Sequence, residues 1–288
     1  MKDLPIGVFD SGVGGLTVLQ SIHDLLPEEN LIYLGDTARV PYGTKSPASV
    51  ERYALHAADY LVSRGIKLLV VACNTASAVA LEVLRTKLAP LPVIGVVEPG
   101  AAAAVNLGLG QQSQHGHRRR HIVLATEATA RRQAYTREIH RLDPDAQVEE
   151  VACSLFVALA EEGWNTGLIA EAVAEQYLGA IRERPAPERP VTAILGCTHF
   201  PLLSACISKA LGPDIQIVDS ATTTAAAVAQ KLSQLELMAS GVDGSERIKL
   251  VATDGPERFA RVGSAFLGRR FGPADIELTD IHPADSKA

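Results

Sequence analysis

Short apolar runs and longer stretches of mixed polarity alternate almost from the first residue. Residues 6–10 read as a buried strand, 14–26 as a helix, 31–35 as a strand and 46–63 as a helix. Ser46 stands as the N-cap of that last helix with Pro47 in its first position, and Ala54, Ala57, Ala58, Leu61 and Val62 share one face. A strand at 67–72, a helix at 76–88 and a strand at 93–97 complete a first βα series. A Gly/Ala-rich passage from Glu98 then leads to the polar stretch 111–120. The alternation resumes with a strand at 121–125, a helix at 129–142, a strand at 147–152, helices across 155–162 and 168–182, and a strand at 192–195. After a strand at 215–218 come a helix at 222–235, a strand at 248–252 and a helix at 257–267. Such alternation predicts an α/β fold with mostly parallel sheets covered on both faces. The last elements can return to complete the first sheet. The expected division is therefore a discontinuous first α/β domain, 1–97 with 219–288, and a second α/β domain, 98–218.

Composition narrows the class more than the chemistry. The 288 residues are 47% hydrophobic and 21% charged, the balance of an ordinary globular protein with ample core. A net charge of −6 gives no general field for nucleic acid or an anionic membrane. The basic cluster His115 to His121, with Arg118, Arg119 and Arg120, lacks neighbouring aromatics for base stacking, so a solvated loop is expected there and nucleic acid is not. No secretory leader or membrane-length apolar run is read, which makes the cytoplasm the expected location. Four cysteines without a CxxC spacing fit reduced thiols and give no metal site.

Two of those cysteines share a setting. Cys73 ends the apolar run Leu68-Leu69-Val70-Val71-Ala72 and precedes Asn74-Thr75, while Cys197 ends Ala193-Ile194-Leu195-Gly196 and precedes Thr198-His199. The carboxyl ends of strands face the ligand crevice in open α/β sheets, and a helix N-terminus favours the thiolate. Free cysteine is commonly a small buried hydrophobe, and Cys153 and Cys206 fit that description. Around Cys73 and Cys197 the polar flanks supply hydrogen bonding that an inert thiol does not need. Two such bases suggest chemistry with a proton acceptor on each side of one atom, as racemisation requires. His199 could tune the neighbouring thiol, bind substrate charge, or be a satisfied structural histidine.

Two loops lie at the same sheet end. Asp10-Ser11-Gly12-Val13-Gly14-Gly15 fails both nucleotide-binding templates, since no Gly-Lys-Ser/Thr closes it and Thr17 stands where a third glycine belongs. It reads either as a turn offering amides and the Ser11 hydroxyl to a carboxylate, or as glycine placed for close helix packing. Gly35 to Gly43 is a long loop in which Tyr42 could offer a hydroxyl and Gly43 a closely approaching backbone.

Taken together, residues 7–17, Gly35-Asp36-Thr37 through Pro41-Tyr42-Gly43, residues 72–76 and Gly196-Cys197-Thr198-His199-Phe200-Pro201-Leu202 closely resemble the glutamate racemases of the aspartate/glutamate racemase family. Those enzymes make D-glutamate for bacterial peptidoglycan without a cofactor. The resemblance spans residues 6–271 and implies two pseudo-symmetric α/β domains with the site in the cleft between them. It implies Cys73 and Cys197 as the two bases, acting on D- and L-glutamate respectively, with Asp10 and His199 assisting. Asp10, Ser11, Tyr42, Gly43, Asn74, Thr75, Thr198 and His199 are then the glutamate-binding residues, and Glu161, beside Glu162, the additional catalytic acid. It also implies a homodimer and no metal. Aspartate racemases carry an acidic residue where His199 stands, so glutamate is the expected substrate; an amino-acid-binding module would not need the thiol pair. Thr126-Glu127-Ala128-Thr129 lacks the glycine that many relatives have before the second threonine, which weakens the expectation that Thr129 meets substrate. No extension like that of precursor-activated relatives precedes Met1, so such activation is not expected.

Overall fold

The computed structural model describes residues 2–111, 119–239 and 247–281. In chain order its first elements are β1 (Ile6–Asp10), α1 (Leu16–Leu25), β2 (Leu31–Gly35), α2 (Pro47–Ser63), β3 (Leu68–Val71), α3 (Asn74–Leu88), β4 (Val93–Gly95) and α4 (Val97–Gln111). There follow β5 (Arg120–Ala125), α5 (Glu127–Arg132), α6 (Ala134–Leu142), β6 (Gln147–Ala152), α7 (Leu155–Glu161), α8 (Leu168–Arg182), β7 (Thr192–Gly196) and α9 (Ser204–Leu211). The chain closes with β8 (Gln216–Asp219), α10 (Ser220–Gln234), β9 (Ile248–Ala252), α11 (Pro256–Phe266) and β10 (Ile276–Leu278).

These strands form two parallel sheets, one ordered β10-β9-β2-β1-β3-β4 and the other β6-β5-β7-β8. Parallel pairing needs a crossover between neighbours, and the helices that supply it bury both sheet faces. The interior strands accordingly read as unbroken apolar runs: β1, β2, β3 and β7 are buried along their whole length. One apolar cluster runs from Val8, Leu16 and Val70 of the first sheet region to Leu124, Phe156 and Phe200 of the second. After β8, α10 packs on α1 as well as α4, which brings the chain back to the six-stranded sheet. Among the described residues no helix is long and apolar enough to cross a membrane.

Local signals account for much of this. The Ser46 hydroxyl accepts a hydrogen bond from the Ser49 amide at 3.3 Å and Pro47 opens α2 where its missing N–H costs nothing. At the base of the first sheet Lys67 meets Glu29 at 2.5 Å, each side chain 1% exposed. The Lys67 ammonium also donates to the carbonyls of Lys2 and Leu237, and Glu29 accepts from the Ala239 amide. That buried pair therefore ties two distant chain segments to the sheet.

Three expectations are corrected, and one strand is added. The passage from Glu98 is not a connector but α4, with Ala101, Ala104 and Val105 buried on one stripe and Pro99 in the tolerant first turn. Gly100 sits there because the Tyr135 ring would lie 3.2 Å from any Cβ. The single helix expected at 129–142 is two, broken where Gln133 adopts φ +50°. β10, too short to carry a periodic signal, pairs with β9. And the turn after Cys197 is a short 3₁₀ segment, Phe200–Leu203, so only Cys73 directly caps an α-helix. Of the basic cluster, residues 115–118 lie outside the described residues, as do 282–288. Arg119 pairs with Asp143 at 2.6 Å, and Arg120 begins β5.

Candidate active site

The end of β1 sets the geometry. The Gly12 amide donates to Asp10 Oδ2 at 2.8 Å and the Tyr33 hydroxyl to the Gly12 carbonyl at 2.8 Å, which fixes the turn. A Cβ on Gly14 would stand 2.3 Å from Thr198 Oγ1 and 2.6 Å from the His199 ring; one on Gly15 would stand 2.5 Å from Asp10 Cβ. Thr17 Oγ1 reaches the Thr198 carbonyl at 3.1 Å. Gly14 thus serves close packing of the first loop on the Cys197 loop and Gly15 its packing on Asp10 and Ala72, while Ser11 remains in the cavity wall.

Beyond β3, Cys73 caps α3 and its thiol lies 3.5 Å from the Ser11 hydroxyl, to which it donates. The helix terminus was expected to favour the thiolate. Burial instead pushes the Cys73 thiol up to about 12, Asp10 adding to the rise, and the Ala76 amide and Ser11 only partly oppose it. Asp10 is itself buried, and desolvation raises its carboxyl above the ordinary range against the pull of the Gly12 amide. Its Oδ1 is buried without a hydrogen-bond partner, a vacant acceptor behind Cys73.

Beyond β7 the setting is cationic. Cys197 Sγ lies 3.8 Å from His199 Nδ1, and His199 Nε2 lies 3.1 Å from Glu161 Oε1 at the end of α7. Glu161 Oε2 accepts from Arg258 of α11 at 2.6 Å. Burial opposes protonation of His199, but its hydrogen bonds to Cys197 and Glu161 prevail and raise it to about 10. The same hydrogen bond, with Arg258 behind it, lowers Glu161 to about 2 despite partial burial. An imidazolium beside a thiol is the arrangement that stabilises a thiolate. The two cysteines, alike in sequence, have opposite electrostatic partners.

A cavity of about 200 Å³ joins them. Ser11, Tyr42, Gly43, Cys73, Asn74 and Thr75 line it from one sheet, and Glu161, Cys197, Thr198 and His199 from the other. Two expected roles change. Asp10 does not line the cavity and lies buried behind Cys73, so it is not placed for direct contact with a ligand there. The Tyr42 hydroxyl is committed to Asp36 Oδ2 at 2.5 Å, leaving its ring as the wall. Thr129 is fully buried and bonds Thr75 at 3.2 Å and Thr126 at 3.1 Å; it does not line the cavity. Asn74 accepts from the Tyr135 hydroxyl at 2.7 Å while its amide Nδ2 is buried without a partner, an available donor. Glu161 lines the cavity and Glu162 does not.

Sequence reasoning missed Val40, Pro41, Thr44, Glu127, Ser154 and Val157 in the wall and gave Thr126 no role. Thr126 and Ser154 were findable, since each closely follows a strand's carboxyl end. A larger depression, lined by Arg85, Pro90, Lys231 and Gln234, holds neither thiol.

Paired parallel sheets with a thiol beyond a strand of each define a class. The chain belongs to the Asp/Glu/hydantoin racemase family, whose sequence model matches residues 6–228. Among its relatives is a glutamate racemase of Geobacter metallireducens, 49% identical over 269 residues, which cover 93% of this chain and 94% of that protein. The solved glutamate racemase of Francisella tularensis in complex with D-glutamate superimposes with a TM-score of 0.84 at 33% identity, over 98% of this chain and 99% of that one. A glutamate racemase isoform from Bacillus anthracis gives 0.87 at 32% identity, over 98% and 99%.

Proposed function

We propose that this chain interconverts L- and D-glutamate by a two-base mechanism in which Cys73 and Cys197 face opposite sides of the α-carbon. The observation that carries the reading is the opposed pair of thiols on one amino-acid-sized cavity, Cys73 backed by Asp10 and Cys197 by the His199–Glu161 pair. Relatives named for glutamate racemisation support the substrate. The L-to-D direction requires Cys197, beside His199, as the base and Cys73 as the acid. Cys197 then removes the α-proton of L-glutamate while Cys73 delivers its proton to the other face. The reverse direction needs the opposite protonation states, with the vacant Asp10 oxygen positioned to assist Cys73.

The demanding step is a carbanion next to a carboxylate. The charge that develops on the carboxylate oxygens is offset by donors already in place: the Ser11, Thr75 and Thr198 hydroxyls, Asn74 Nδ2 and the amides opening α3. Preorganised donors in a narrow cavity lose little reorganisation energy during the reaction. The same reading includes a homodimer, a cytoplasmic location and supply of D-glutamate to peptidoglycan. It also keeps the division 1–97 with 219–288 and 98–218, which the membership of β9 and β10 in the first sheet supports.

The test is polarimetry with L-glutamate and, separately, L-aspartate, without added cofactor, on the native chain and on Cys73→Ala and Cys197→Ala. Loss of rotation with glutamate alone, abolished in both variants, is the expected result. A native protein inert toward glutamate would end the racemase reading; full turnover by either variant would end the two-thiol mechanism.

A further inference from the structure

His199 is gripped from several sides, and one of the grips comes from an unexpected element. Its Nδ1 faces Cys197 of its own loop, its Nε2 faces Glu161 of α7, and Asp10 at the end of β1 adds a further charge nearby. Phe266 meets the imidazole in a T-shaped contact, its ring centroid 5.1 Å away at 77°. Phe266 belongs to α11, and so does Arg258, which holds the second oxygen of Glu161 at 2.6 Å. α11 connects β9 to β10 in the six-stranded sheet, whereas Cys197 and Glu161 follow strands of the four-stranded one. It also lies beyond residue 228, where the family match ends.

We propose that α11 is a positioning element for the acid–base pair behind Cys197, with Arg258 aiming the Glu161 carboxylate and Phe266 fixing the plane of the His199 ring. An exposed Arg–Glu pair contributes little when both partners are hydrated. Here the carboxylate side chain is only 16% exposed and its other oxygen is spent on His199, so Arg258 decides which way the carboxylate points. A bidentate bridge of this kind fixes a catalytic imidazole as an orienting carboxylate does elsewhere. Because the cation and the aromatic ring come from one sheet and the acid–base pair from the other, this part of the hold on His199 forms only when the two sheets are seated together.

The inference builds on the racemase reading, and its experiment has a readout independent of turnover. Imidazole titration by NMR, with the His199 signal assigned through His199→Gln, is compared in the native chain, Arg258→Gln, Arg258→Lys and Phe266→Leu. In Arg258→Gln the His199 titration moves down by roughly half a unit to one unit and kcat/KM falls about fivefold, with its basic limb displaced by the same amount. Arg258→Lys restores both. Since the enantiomers are equal in energy, the loss is the same in either direction. In a Glu161→Gln background Arg258→Gln adds nothing. A His199 titration unchanged in Arg258→Gln, or an Arg258→Gln effect that persists without Glu161, overturns the proposal. A native chain that does not racemise glutamate while His199 still follows Arg258 would refute the function and leave the positioning intact.

Discussion

Replacing Glu161 with glutamine removes the carboxylate from a pair whose worth can be sized from the structure. Glu161 is held at about 2 against an ordinary 4.5, chiefly by its hydrogen bond to His199, with His199's charge and Arg258 assisting. That shift is equivalent to ~3 kcal/mol, reduced to ~2 kcal/mol by solvent at its open side. The rise of His199 to about 10 comes from Cys197 and, in part, from this same interaction with Glu161, so the two are not added. The sign follows from linkage: a lowered acid stabilises the fold above its unfolded pKa and loses that contribution as pH falls toward 2. A raised histidine stabilises below 6.5 and loses its contribution as pH rises through 10. Glu161→Gln is therefore expected to cost most between pH 4.5 and 6.5. By about pH 3 the deficit falls below half, and it declines again toward pH 10. Urea unfolding of both proteins across that range measures it, and racemisation at neutral pH should fall at least about tenfold. A deficit that stays constant from pH 3 to pH 10 would refute the reasoning.

Other perturbations address separate parts of the molecule. Lys67→Met leaves Glu29 charged and unpaired in the base of the first sheet, with an expected cost of about 3–5 kcal/mol and a melting point lower by roughly 10 °C; an unchanged melting curve contradicts it. Gly14→Ala forces a methyl group against Thr198 and His199, so calorimetry should register about 1–3 kcal/mol of destabilisation, and activity should collapse beyond what that explains. Asp10→Asn removes a negative neighbour of Cys73, so alkylation of that thiol by iodoacetamide should begin at lower pH while racemisation slows. Alkylation with an unshifted pH profile would show that burial alone sets the thiol.

The parts legible in the sequence were those where one local signal dominates. Fully buried parallel strands such as β1 and β7 announce themselves as apolar runs, and Ser46-Pro47 marks a helix start that the hydrogen bond at Ser49 bears out. Harder to see were elements whose sequence can serve two structures. The Gly/Ala stretch of α4 suits a loop until the Tyr135 ring claims the space beside Gly100, and Gln133 breaks a helix without a glycine or proline to betray it. In the cavity the strand-end rule led to Cys73 and Cys197 but could not distinguish their surroundings. Asp10 stands behind one thiol, and His199 beside the other is completed by residues from α7 and α11. Arg258 and Phe266 carry no local signal, because their relation to His199 exists only after the two sheets meet. The Tyr42 hydroxyl is taken by Asp36 of its own loop, a contact that the fold of the loop creates and its residue order does not announce.

Opposed thiols are the heart of this account, and the isotope content of early product tests them most directly. L-Glutamate incubated with the protein in D2O, stopped at a few per cent conversion and resolved by chiral chromatography with mass detection, should give D-glutamate carrying one α-deuterium. The recovered L-glutamate should remain unlabelled, because the thiol that removes the proton is not the one that supplies its replacement. Deuterium building up in L-glutamate as fast as in D-glutamate, or D-glutamate retaining the original proton, would mean that a single base serves both faces.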